Sequence, residues 1–296
     1  MPSHKKETRH DQLFHTAAYE GDLDELRSVL DSGRVHVDCI DKEGTTPLLL
    51  AVAANQCECV KELLSQGADP NIRRMTGATA LFFAAQNGSL EISKALVEAG
   101  AEVDLACFDG GTPFLVACQC KHIDVARYLL GQGADVNARM IDGATAVFLS
   151  AQHGHADVIS FLFECGANAH APRMDNATPL WISAQFGHAD CVTLLVDHGV
   201  KLDTVREDGA TPLFKACHKG HYRVAEILVK NNANLGLLPN GETAMHAACM
   251  FNHSSIVKLL LDHGANRNIK NSEGKTCQDI AEENKSKVIQ EMLNSL

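Results

Sequence analysis

Aromatic side chains are scarce, at 5% of 296 residues with one tryptophan, and no apolar run approaches the roughly 20 residues that a bilayer span requires. The sequence reading therefore excludes membrane insertion. Basic residues are also in deficit. Lys and Arg number 26 against 37 Asp and Glu, leaving a formal charge of −11 whose field repels phosphate backbones, so nucleic acid is not an expected partner. No paired Cys-x-x-Cys knuckle is present to hold zinc, and Gly110-Gly111 lacks the following Gly-Lys-Ser/Thr of a phosphate cradle and reads as a turn. Residues 1–10 are polar and are followed by no apolar core or small-residue cleavage site, so they read as a short flexible lead and not as a secretory leader.

What the chain does have is a period. Threonine recurs at 46, 79, 112, 145, 178, 211, 243 and 276, 33 residues apart except for one step of 32. Regular self-similarity at this interval marks a stacked array of small units, an all-α solenoid in which each unit packs on its neighbours and no separate domain is left for catalysis. In the unit beginning at Asp142, Asp142-Gly143 makes a turn and Thr145 caps a first helix, at whose next position four sister units carry Pro47, Pro113, Pro179 and Pro212. Ser150 and Ala151 allow close approach of a neighbouring helix, and Gly154 ends this one. His155 opens a second helix with Val158, Ile159, Leu162 and Phe163 on one stripe, and Cys165-Gly166 closes it. An extended return segment then leads to the next turn.

This pattern resembles the ankyrin repeat, whose signature runs Asp-x-x-Gly-x-Thr-Pro-Leu-His-x-Ala-Ala-x-x-Gly-His and closes with Gly-Ala-Asp-x-Asn, a motif matched throughout by Gly133-Ala134-Asp135-Val136-Asn137. The resemblance covers residues 11–293 as a single domain and implies helix-turn-helix units, each with a projecting β-hairpin, stacked into an elongated, curved body. Seven full repeats begin near residues 41, 74, 107, 140, 173, 206 and 238, flanked by end units near 11–40 and 271–293 that carry Gln12 and Asp279 at otherwise patterned positions. The signature histidine, which the family uses to tie adjacent units together, is replaced by Leu49, Phe82, Leu115, Phe148, Trp181 and Phe214, and is kept only at His246 and His15. These replacements read as an apolar core ladder that takes the place of a polar tie. The step of 32 falls in the loop Leu235-Gly236-Leu237-Leu238-Pro239, where proline and glycine argue against a regular finger. That loop reads either as a tolerated fault or as an apolar contact.

The resemblance places partner contacts on the hairpin tips and at the end of each first helix. Two residues before the turn, the tips carry Lys42, then the large apolar Met75, Phe108, Ile141 and Met174, then Glu207. Such side chains on exposed tips either mark an interaction site or pack on their own hairpins. Asp109, Asp142, Asp175 and Asp208 read as turn formers. Arg73, Arg139, Arg173 and Arg206 read as free to pair with acidic groups on a partner. Gln86, Gln119, Gln152 and Gln185, with His153 and Phe186 beside them, form an expected polar floor able to pair with an extended backbone. Family likeness also implies hydroxylation of the hairpin asparagines Asn71, Asn137 and Asn268.

Eleven cysteines are an odd count, and Cys118, Cys217 and Cys249 share a position that elsewhere holds Ala or Val, as buried thiols do in a reducing cytosolic or nuclear compartment. Five histidines, at 122, 155, 188, 221 and 253, share one helix-start position and so cannot converge on one ion, leaving no expected metal or cofactor. The expected function is non-enzymatic recognition of another protein by a monomer acting as adaptor, scaffold or mask. The alternatives are a tether for a membrane protein's tail or the cytoskeleton and, third, an enzyme using a pair such as Cys120 and His153.

Overall fold

A computed structural model of the protein describes residues 8–295, and its contacts divide the chain between Ile141 and Asp142 into two units. The first unit holds four helix pairs: Arg9–Glu20 with Leu23–Asp31, Pro47–Ala53 with Cys57–Ser65, Ala80–Asn87 with Leu90–Glu98, and Pro113–Gln119 with Ile123–Gly131. The second holds five: Ala146–His153 with Ala156–Glu164, Pro179–Phe186 with Ala189–Asp197, Pro212–Lys219 with Tyr222–Lys230, Ala244–Met250 with Ser254–Asp262, and Cys277–Glu283 with Lys287–Asn294. Of the expected lead, residues 1–7 lie outside the described residues. Arg9 and His10 belong instead to the first helix, because Thr8 and Asp11 cap each other reciprocally at its start.

The periodic threonines form these helices as their spacing predicts. Each hydroxyl, from Thr46 to Thr276, accepts the amide three residues on and so satisfies a donor that has no partner within its own helix. The apolar stripes meet in a core that includes Leu48, Leu63, Leu81, Leu96 and Leu129 in the first unit and Leu162, Leu195, Leu213 and Leu228 in the second, all essentially solvent-free. Alanines 51, 84, 117, 151, 184, 216 and 248 are fully buried, and their small side chains let neighbouring first helices approach. Of the six residues replacing the signature histidine, Leu49, Leu115, Phe148 and Trp181 are buried, whereas Phe82 and Phe214 are only half-buried. Trp181 also keeps a polar tie, since its indole N–H donates to the Ala210 carbonyl at 3.0 Å. His246 and His15 also reach into the segment that follows, but to earlier carbonyls of it, those of Ile269 and Cys39.

The polar tie expected to be lost is made elsewhere. At the start of the second helices, the Nε2 of His122, His188, His221 and His253 reaches back to the carbonyls of Gln86, Gln152, Gln185 and His218, at 3.0–3.2 Å. A carbonyl only accepts, so Nε2 carries the hydrogen in each ring. Each imidazole also lies against the glycine that ends the preceding repeat's first helix. A Cβ on Gly88, Gly154, Gly187 or Gly220 would fall within 2.4–2.7 Å of a ring atom. Where Asn55 and Asn252 replace that glycine, the following repeat carries the smaller Ser89 and Ser286 in place of histidine. Ser89 then bonds directly to the Asn55 side chain.

The hairpins are tighter than the projecting β-hairpins expected. Most close on two backbone hydrogen bonds, such as Gly77 N–H to Arg74 O and Arg74 N–H to Ala78 O, and among the described residues they grow no strand beyond a single-residue bridge at Arg139 and Thr145. The reason is that the remaining donors point sideways, from tip to tip. Met75, Phe108 and Ile141 donate their amides to the carbonyls of Glu43, Thr76 and Asp109 in the first unit, and Met174 and Glu207 donate to Asp142 and Asp175 in the second, at 2.8–3.2 Å. In the shortened loop Pro239 takes the donating position, so the ladder loses a rung there, and the next bond shifts by one residue to join Ser272 N–H to Gly241 O. Leu238 turns into the core while Leu237 stays exposed.

Two predictions follow from this packing. Gly187, at φ +78° and 2.6 Å from the His221 ring once a Cβ is added, should suffer from replacement by alanine for two separable reasons. Gly187→Ala is expected to lower unfolding free energy by more than about 2 kcal/mol, and by only about 1 kcal/mol in a His221→Ser background, where the backbone term alone remains; denaturant unfolding of the double-mutant cycle measures this. Leu237→Asp is expected to change stability by less than about 0.5 kcal/mol, whereas Leu238→Asp costs at least about 2 kcal/mol.

Candidate functional site

Because the tip ladder uses only main-chain atoms, it fixes the backbone of each tip and leaves the side chain to project. Met75, Phe108, Ile141 and Met174 are 70, 62, 64 and 73% exposed. The first three stand on successive rungs of the first unit, and Met174 stands on a rung of the second. The turn aspartates behave as their type predicts, since the carboxylates of Asp109, Asp142, Asp175 and Asp208 accept the amide two residues on.

Arg73 and Arg139 are exposed on the first unit. The freedom expected of Arg173 and Arg206 is corrected by the structure. Arg173 pairs with Asp175 at 2.7 Å and lies 5.4 Å over the Phe148 ring, while Arg206 pairs with Asp175 at 2.8 Å and with Asp208 at 3.1 Å. Trp181 is covered by two cations, the Arg206 guanidinium at 4.9 Å and the Lys215 ammonium at 5.3 Å, and Lys215 also pairs with Asp208. The Arg173 hydrogen bonds, joined by those of Arg206, hold the Asp175 carboxyl well below the usual carboxylate range. These two arginines therefore serve the fold, because the turn aspartates of successive repeats lie within reach of them.

At the ends of the first helices, Gln86 is exposed and Gln119, Gln152 and Gln185 are half-buried. The carbonyls of Gln86, Gln152 and Gln185 are occupied by the histidine ties, and their side-chain amides make no hydrogen bond among the described residues. His153 is exposed but anchors its Nδ1 on Leu149 O at 2.9 Å, and Phe186 is 47% exposed. Asn71 is a bridge: its amide donates to Gly100 O at 3.0 Å and its oxygen accepts Glu102 N–H at 2.8 Å. Asn137 and Asn268 take their own backbone amides to Asp135 and Asn266. Burial pushes the Cys120 thiol up, the opposite of what activates a nucleophile.

The sequence reading missed the histidine ties and the tryptophan tie. The regular spacing of His122, His188, His221 and His253 was the available signal, and it was read only as evidence against a metal centre.

The chain belongs to the ankyrin repeat family: models of ankyrin repeats in three copies match residues 2–74, 72–140, 105–172 and 147–238, and the single-repeat model matches 240–272. Domains of this family are general protein–protein interaction modules and typically non-catalytic. Ankyrin repeat domain-containing protein 29 of Homo sapiens and of Danio rerio are each 49% identical over 72 residues, 24% of this chain and 24% of theirs. The exchange of phenylalanine for histidine ahead of Ala-Ala-Gln, as from Phe82 to Gln86, is a feature that resembles those proteins. The match thus spans about a quarter of the length of these curated relatives. The crystal structure of the human ASB11 ankyrin repeat domain is similar at 29% identity and a TM-score of 0.63, covering 69% of this chain and 92% of that one.

The Asp175 network makes a pH-dependent prediction. With its folded value below the ordinary one of about 4, the unfolded chain takes up the proton first as pH falls, so the network's contribution is complete above that range and declines below it. Asp175→Asn is expected to cost about 1–2 kcal/mol at pH 7. Its deficit against wild type in urea unfolding should shrink as the pH drops below about 4.

Proposed function

We propose that the chain is a non-enzymatic adaptor that holds a segment of another protein against the hairpin tips of its first unit. The observation that carries this reading is the run of three large apolar side chains, Met75, Phe108 and Ile141, each 62% or more exposed on consecutive ladder rungs. They bury little against their own hairpins, which weighs against self-packing as their role, and exposed apolar groups so grouped mark contact surfaces. Arg73, exposed on the same unit, suits a partner segment that mixes apolar anchors with carboxylates. Gln86, with its amide unpaired, adds a donor and an acceptor for an extended backbone. In the second unit Met174, Gln152, Gln185, His153 and Phe186 are available for lesser contacts, with Arg173 and Arg206 set aside as structural.

None of the eleven cysteines is joined in a disulfide, and desolvation pushes the thiols of half-buried Cys107 and buried Cys191 up to about 11. This supports residence in a reducing compartment, the cytoplasm or nucleus. An adaptor of this kind acts by bridging two proteins or by masking one. Hydroxylation remains part of the reading for Asn71, Asn137 and Asn268, and peptide mass spectrometry of the native protein tests it by a gain of one oxygen.

Phe108→Ser with Ile141→Ser is expected to leave the unfolding free energy within about 1 kcal/mol of wild type, since both side chains already face water. Proximity labelling in cells should show neighbours of the wild type that the double variant loses. An unchanged set of labelled proteins overturns the tip site.

A further inference from the structure

Neighbouring repeats are also joined by a third contact, made by the residue at the asparagine position of the Gly-Ala-Asp-x-Asn motif. Asp38, Asn71, Asp104 and Asp203 each accept a backbone amide 31 residues on, from Asp69, Glu102, Asp135 and Asn234, at 2.8–3.1 Å. Asn71 also takes the carbonyl 29 residues on.

In the interval after residue 166 this position is His170. Its imidazole is exposed and makes no side-chain hydrogen bond, and no hydrogen bond reaches the amide of Lys201, 31 residues later, among the described residues. Beside it, Ala169 stands where sister repeats carry Val103, Val136 and Leu202. Losing both the bridge and the larger side chain leaves a cavity of about 630 Å³ in the second unit. Its apolar walls include Pro172, Leu180, Val200 and Val205, with His170 and Lys201 as its basic groups. No carboxylate lines it, although the chain as a whole carries −11. The volume falls in the range of small-molecule sites.

We propose that this cavity binds a carboxylate carried on an apolar body. The carboxylate sits against the Lys201 ammonium, the unpaired Lys201 N–H and the His170 imidazole, and the apolar part fills the space that Ala169 leaves open. The rest of the lining is Asn176, Thr178 and Thr204, so the site offers one ammonium, an imidazole and neutral polar groups beside its apolar walls, a set that matches a monoanion on an apolar body better than a phosphate dianion, whose second charge meets no second fixed cation. An amine is excluded by the absence of any acidic wall.

The test uses the full chain with a ¹⁵N label, titrated with octanoate, with octylamine, and with a short peptide ending in phenylalanine as the free acid or the amide. Octanoate is expected to shift the Lys201 amide saturably and octylamine is not. Lys201→Gln, a change at an exposed side chain, should weaken octanoate about tenfold. His170→Asn is expected to restore the Asn71-type bridge, raise the unfolding midpoint and abolish the saturable shift, and Ala169→Leu should abolish it by filling the space. Competition by the free-acid peptide and not its amide assigns the carboxylate to a protein chain end. Failure of both peptides beside binding of octanoate assigns it to a small acid, and either result supports the site. No saturable shift at Lys201, an equal response to octylamine, or octanoate affinity unchanged in Lys201→Gln overturns it.

Discussion

The imidazole that reaches back from one repeat to a carbonyl at the end of the first helix in the repeat before it is the contact on which the architecture depends. An isolated helix pair caps the start of its first helix with its own threonine, but the carbonyls at the other end of that helix are orphans. His188, His221 and His253 supply the missing partner in the second unit, and His122 does so in the first. Each repeat therefore completes its neighbour's hydrogen bonding as well as covering its apolar face, so stability resides in the interfaces between repeats more than within any one of them. The glycine beneath each ring is required twice over, by a left-handed backbone and by the space the ring occupies.

What could be read from sequence follows the range of the interaction involved. Thr145 and Pro179 act within three residues of themselves, and their caps and helix starts stand where the spacing places them. Met75, Phe108 and Ile141 were legible as exposed because turn chemistry beside them fixes where a tip must be. The histidine series was visible but its meaning was not, because the partner of His221 is the carbonyl of Gln185, 36 residues away. Arg173 and Arg206 were misread for a related reason. Asp175 looks complete as a turn former, yet the same carboxylate that takes the Ala177 amide also collects both guanidiniums. A local motif with spare lone pairs does not announce what it does at longer range.

Each interface can also be altered separately, because in a nearest-neighbour array a change in one interval leaves the others intact. Trp181 substitutes an indole N–H for the signature histidine and still reaches the next hairpin. Pro239 deletes one rung of the tip ladder, and the following bond re-forms one residue out of register. His170 deletes one asparagine-type bridge and opens a cavity, while Asp203 keeps the same bridge in the next interval.

The tip ladder bears on the apolar tips in the same way. Since the rung is a main-chain bond, any residue with an N–H supports it, as Glu207 does on one tip and Met174 on the tip before. Folding therefore places no demand on the side chain there, and the loss of the rung at Pro239 shows that the array closes even without it. A large apolar group at such a position adds exposed surface that favours association and returns little burial. Three of them in succession on the first unit are thus unexplained by the fold's internal energetics, and this is the excess of exposed apolar surface that the proposed docking of a partner segment accounts for.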